Sequence, residues 1–290
     1  MQSYFRGVIY AVFAGVFLSG AGLTVRYIDS ADQWQVLFYR SMAFFVTLIV
    51  FMAVRNKGRV LPAFIALKPV DYIVSVALAG GFIFYILSLF STLVANTVLM
   101  LSAGPFLAAL LGWLVLRESV DRRTWIAMSV AILGVCIMVS GGLGAGDLIG
   151  YLYALLAALS FSIMIVVLRA AGQRDVIAAT ALAGLVAAGI CVPFMQGFAI
   201  SVHDFLLSCF MGSVQVGFGF VLITLASRSV PAAQVPLLAL TETALAPIWV
   251  WWFINEVPQI ITLIGGAVVL SAVIYQGMAV EMRKVSSDTQ

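Results

Sequence analysis

The chain has 290 residues, of which 63% are hydrophobic and only 9% charged. An ordinary soluble domain carries about 25% charged residues, so water cannot be the solvent for most of this surface and the chain reads as an integral membrane protein. The net charge of +3 calls for no nucleic-acid partner, because the distribution of the basic residues along the chain has a simpler cause, given below.

Runs of roughly 20 apolar residues, the length a helix needs to cross about 30 Å of hydrocarbon, recur from one end to the other. They predict spans at 7–28, 33–54, 71–92, 95–116, 122–140, 147–169, 176–196, 203–226, 233–254 and 258–278. Stretches such as AVVLSAVIY are apolar on every side, without the alternation of a membrane β-strand. The expected fold class is therefore an all-α integral membrane protein of ten transmembrane helices. The first span is long, follows Arg6 alone and precedes IDSADQ, so it reads as a retained helix rather than a signal peptide.

Basic loops stay cytoplasmic. With the N-terminus inside, 13 of the 15 Lys and Arg residues fall on the inner side, Arg26 falls outside and Arg40 lies within a span. This orientation places both termini in the cytoplasm and the protein in a cytoplasmic (inner) or plasma membrane, with the lipid bilayer as its main partner.

The second half repeats the first. GVIYAVFAGVFLSGAGLTVR (7–26) and GYLYALLAALSFSIMIVVLR (150–169) share Gly, Tyr, Ala and the terminal Arg at a shift of 143, which also carries Asp32 onto Asp175. Further along the shift is 138, pairing Gly81 with Gly219, Thr124 with Thr262, Asn96 with Gln234, and LRESV (116–120) with INEVP (254–258). Residues 1–142 and 143–290 are thus read as two five-helix repeats. Five is odd, so the copies are inverted, the usual construction of secondary transporters, with a substrate site near the midplane and alternating access between the copies.

Two charges lie within spans. Arg40 is about 10 Å below the outer end of the second span, and Glu242 is about 14 Å above the inner end of the ninth, a difference in depth of about 6 Å in a 30 Å slab. A charge facing lipid there costs about 3 kcal/mol or more, so each is expected to face protein or a cavity. Facing one cavity, they suit a zwitterionic, amino-acid-like substrate; facing each other, they lock the second and ninth helices together; and Arg40 has the alternative of snorkelling outward. Glu242 is also the candidate for binding a coupled proton. Tyr39, Phe82, Tyr85 and Phe218 are candidate pocket walls, and as an aromatic cage they would suit a quaternary ammonium instead.

Other features read as architecture. Glu118 and Glu256 end symmetric helices and would cap the helices that follow. Small residues at Ala11, Gly15 and Ser19, and at Ala154, Ala158 and Ser162, permit close helix approach. Pro105, Pro236 and Pro247 would kink their helices, Trp113, Trp249, Trp251 and Trp252 would anchor at interfaces, and Cys136, Cys191 and Cys209 would be small core residues. His203 is the sole histidine, and neither a metal-ligand spacing, a phosphate loop nor a nucleophile–histidine pairing is present, so no enzyme, metal or cofactor is expected.

The second-helix FYRS (38–41), SAGPFLAALLGWLVLRESV (102–120) and TETALAPIWVWWFINEVP (241–258) resemble the EamA-type branch of the drug/metabolite transporter superfamily. The resemblance covers nearly the entire chain and implies two five-helix copies, each closing on a helix, a glutamate and a last helix. Relatives in that superfamily move amino acids, nucleosides, quaternary amines and other metabolites. The chain departs from the pattern at Arg117 and Asn255, where a glycine usually precedes the terminal glutamate. The expectation is a secondary transporter, monomer or homodimer, for a small polar metabolite. An amino acid or similar zwitterion comes first, a quaternary-ammonium or cationic metabolite second, and a non-transporting scaffold is the rival of a different class.

Overall fold

The computed structural model describes residues 2–117, 122–142, 147–172, 175–226 and 235–287. Glu118 and Gln234 lie outside the described residues. Within them the regular structure is entirely helical. The first span is formed by α1 (Gln2–Ser19) and α2 (Ala21–Arg26), the second by α3 (Gln33–Arg55), and the third, after a short α4 (Leu61–Ile65), by α5 (Pro69–Ser91). The fourth is broken into α6 (Val94–Leu101) and α7 (Gly104–Leu116). Then come α8 (Arg122–Gly142), α9 (Leu148–Ala171) and α10 (Ile177–Cys191). The eighth span is composite: α11 (Val202–Phe210), a π-helical stretch (Met211–Phe218) and α12 (Gly219–Ala226). α13 (Val235–Ile254) and α14 (Ile260–Ser287) complete ten segments, and among the described residues eight of the ten are long and apolar enough to cross a bilayer.

Helix ends follow their local chemistry. Asp32 caps α3, accepting from the amides of Trp34 (2.7 Å) and Gln35 (2.9 Å) while the Gln35 side chain accepts from the Asp32 amide. Two of the amides left unpaired at every helix start are thereby satisfied. Asp175, the position that a shift of 143 matches to Asp32, accepts in the same way from the amide of Ile177. Pro105 sits in the first turn of α7, where its missing N–H costs nothing, so it starts a new helix after the break at Ser102 and Ala103 rather than kinking a continuous one. Pro247 lies inside α13, which continues through it.

Small side chains set the spacing of the bundle. Ala154, Ala158 and Ser162 are fully buried on α9, and Ala11, Gly15 and Ser19 on α1. Gly134 of α8 and Gly265 of α14 touch so closely that a Cβ on either would stand 2.6–2.7 Å from the other's carbonyl oxygen. The main core gathers Leu37, Phe44, Leu78, Phe82, Ile86 and Leu89 with the alanine-rich face of α10. Cys191 is part of that core, but Cys136 is exposed on the outer face of α8, a correction to the expectation that all three cysteines are core residues.

The loop before α3 is tied down by Asp204. This fully buried carboxylate accepts from the amides of Asp29, Ser30 and Ala31, each at 3.0 Å, and from the Ser30 hydroxyl at 2.8 Å. His203 lies beside it, with Nδ1 at 3.2 Å from Asp204 and 3.4 Å from Asp29.

Candidate functional site

Arg40 lies on the buried face of α3, and its side chain is drawn inward rather than snorkelling: the residue is 2% exposed. Its guanidinium carbon stands 5.0 Å from the centre of the Phe82 ring on α5. Phe82 meets Phe44 of α3 and Phe220 of α12 edge to face, with centroids 5.0 and 6.1 Å away, so three phenyl rings floor the position. Arg40 Nε has no hydrogen-bond partner, and no ion pair to the guanidinium is present among the described residues. Burying a cation costs several kcal/mol unless it is paired and hydrogen-bonded, and a cation–π contact returns only about 1–2 kcal/mol of that.

Glu242 on α13 and Tyr85 on α5, one turn from Phe82, both lie within electrostatic range of Arg40. Glu242 is partly buried and forms no ion pair with Arg40 within 4.0 Å, so the direct lock between the second and ninth helices is absent. The arrangement is a buried cation and a carboxylate that share a field without neutralising each other by contact.

Four of the six sequence-derived candidates, Arg40, Phe82, Tyr85 and Glu242, therefore come together. Tyr39 and Phe218 do not. Tyr39 points about 100° around the helix from Arg40, donates its hydroxyl to the Phe198 carbonyl at 2.5 Å and packs on Phe205. Phe218 is exposed and stands edge to face with Phe17 of α1.

Further polar groups are buried in the bundle: Gln215 and Ser41, which were not singled out from sequence, and Asn96, which was read there only as the counterpart of Gln234. Gln215 in the π-helical stretch donates to Thr24 Oγ1 at 2.9 Å and leaves its own buried oxygen without a partner. Asn96 donates to Thr92 Oγ1 at 2.7 Å and likewise leaves its oxygen unpaired, as does the buried hydroxyl of Ser41. A lone amide in an apolar span was the available signal for Gln215. The π-helix brings Gly212 so close to the Arg40 carbonyl that a Cβ there would collide with backbone. Such widened turns are frequent at functional sites.

A second polar cluster ties helix ends of the two halves together. Arg26, at the end of α2, donates through Nε to Glu256 Oε2 (2.6 Å) and through its two terminal nitrogens to the carbonyls of Leu89 (2.6 Å) and Thr92 (2.7 Å). Glu256 Oε1 accepts from the amide of Val94, the first residue of α6. Glu256 thus caps a helix of the first half, not the helix that follows it, a correction whose cause is the nearness of Arg26. Trp249 is likewise turned inward, donating to Ser19 Oγ at 2.9 Å instead of anchoring at an interface. At the other end of α3, Arg55 pairs with Asp175 at 2.5 Å beside a cleft of about 340 Å³ lined by Met52, Asn56, Asp71 and Ile177 among others.

The model of the EamA-like transporter family matches residues 5–140 and again 148–276. The chain belongs to the EamA-like transporter family. An uncharacterized transporter of Archaeoglobus fulgidus is 24% identical over 264 residues, covering 91% of this chain and 93% of that protein. The uncharacterized transporter YdfC of Bacillus subtilis is 26% identical over 198 residues, 64% of each chain. A crystal structure at 17% identity superposes with a TM-score of 0.64 over 93% of this chain and 96% of its own, which is a likeness of fold. This EamA-family chain is accordingly a multi-pass membrane transporter.

Proposed function

We propose that this transporter moves a small zwitterionic metabolite, amino-acid-like in carrying a carboxylate and an ammonium group, by alternating access between two inverted five-helix repeats. The observation that carries the reading is the Arg40 guanidinium, buried on Phe82 with Nε unpartnered and the carboxylate of Glu242 in range but not in contact. An arginine in that state lacks a planar anion, and a substrate carboxylate would engage it through two parallel hydrogen bonds. Glu242 would receive the ammonium group, or a proton when the substrate has left. The double match of the family model supports the repeat.

Arg40 also argues against a quaternary-ammonium substrate. It already occupies the face of Phe82, so a second cation would meet a like charge where the cage should be. The distribution of basic residues supports a cytoplasmic (inner) or plasma membrane with both termini inside and the Arg26 end outward.

The test is counterflow of labelled amino acids, with choline and other quaternary amines alongside, into liposomes holding the purified protein or Glu242→Gln. Saturable wild-type counterflow of a zwitterion that a folded Glu242→Gln protein loses supports the assignment. Counterflow restricted to amines without a carboxylate overturns it.

A further inference from the structure

The contacts of Arg26 and Glu256 are more than a cap. Three polar atoms of Arg26 are committed: Nε to Glu256, the other two nitrogens to the carbonyls of Leu89 and Thr92 at the end of α5. The second oxygen of Glu256 takes the Val94 amide at 2.7 Å. Helix ends leave carbonyls and amides unsatisfied, and this single pair serves the end of α5 and the start of α6 at once. A cap needs no help from a residue 230 positions away, yet Glu256 comes from the connection between α13 and α14.

The bonds divide unequally between the halves. Arg26, Leu89, Thr92 and Val94 all belong to the first half, so the guanidinium stays held there whatever the second half does. Within this cluster two bonds cross, Arg26 to Glu256 and Val94 to Glu256, and both end on one carboxylate. Ser19 and Trp249 make a further contact two turns below, at the same offset of 230, so α1 with α2 and α13 run side by side in register up to this pair. The Glu256 side chain is 12% exposed and that of Arg26 23%, so water competes weakly for the bonds.

We infer that Glu256 is the releasable bolt of an outer gate, seated in the fixed Arg26–Leu89–Thr92–Val94 socket when the site is closed to that face. This rests on the alternating-access reading. Withdrawal of α13 breaks both crossing bonds together and opens a path beside Gly22 and Val94, which pack against each other directly under the pair. Arg26 and Glu256 are positioning residues: neither touches the Arg40 site, and their effect is on which face reaches it.

The gate is tested without any substrate. In protein whose Cys136, Cys191 and Cys209 are replaced, Thr24→Cys reports from a buried position under the pair. A membrane-impermeant maleimide is applied from the Arg26 face of oriented vesicles. Glu256→Gln, which keeps the shape but loses the charge, is expected to raise the labelling rate tenfold or more, and Glu256→Asp to raise it less. Val94→Pro provides a second route, because it deletes the amide that Glu256 accepts from while proline suits the first position of a helix; it is expected to raise labelling severalfold. Unchanged labelling in both Glu256→Gln and Val94→Pro, each verified as folded by its melting curve, overturns the gate even if counterflow succeeds. Faster labelling upholds it even if no zwitterion is carried.

Discussion

Arg117 and Asn255 stand at matching places in the two halves and hold the same left-handed backbone, with φ of 55° at each. Both end a long helix, at α7 and α13, where a glycine would adopt this conformation without a Cβ penalty. The departures from the family pattern are therefore departures in residue type and not in backbone. Arg117→Gly is expected to raise the unfolding midpoint, by the equivalent of about 1 kcal/mol, and Asn255→Gly by less, since asparagine tolerates this region better. Thermal unfolding in detergent, followed by circular dichroism, checks both.

Arg40→Met separates recognition from packing. Methionine fills the space without an unpaired buried charge, so the protein is expected to fold at least as stably as wild type. Counterflow is expected to fall about 30-fold or more, the equivalent of about 2 kcal/mol lost from one side of a buried charge pair. Arg40→Lys keeps the charge but not the planar fork or the stacking on Phe82, and is expected to recover only a small part of the activity.

Tyr39→Phe and Phe218→Leu are expected to leave counterflow unchanged. Tyr39 loses one hydrogen bond to Phe198 at the rim, worth about 1 kcal/mol of stability, and Phe218 loses an edge contact with Phe17. Parallel uptake and melting measurements on the two variants test this placement outside the site.

Asp204→Asn is expected to destabilise the fold by about 2–3 kcal/mol. The carboxylate accepts from three consecutive amides and a hydroxyl, and an asparagine has one acceptor oxygen where Asp204 uses two. Urea or thermal unfolding at neutral pH, compared with the milder Ser30→Ala, gives the measurement.

The ten spans were legible because each apolar run matches the thickness of a bilayer, and Arg40 and Glu242 because a charge within such a run is costly unless it faces protein or a cavity. Proximity in sequence misled at Tyr39, which sits next to Arg40 in the chain but on another face of α3. Distance in sequence hid the pairing of Arg26 with Glu256, which no periodicity encodes. Phe44 and Phe220 were indistinguishable from other core rings until packing put them against Phe82. The inward turn of Trp249 depends on Ser19, a residue of the opposite half that reads only as a small packing position.

The π-helical stretch carries a consequence for the gene. Such a stretch is in effect one residue more than an α-helix of the same length holds. Deleting a single codon between Met211 and Phe218 would therefore let an unbroken α-helix form with the segments on either side still in phase, whereas the same deletion within an α-helix turns everything after it by about 100°. Phe220 would stay in the ring cluster under Arg40, and what would change is the close approach of Gly212 to the Arg40 carbonyl. The widened turn makes this point of the reading frame tolerant of a change in length that elsewhere in the same span would rotate a lipid-facing side chain into the site.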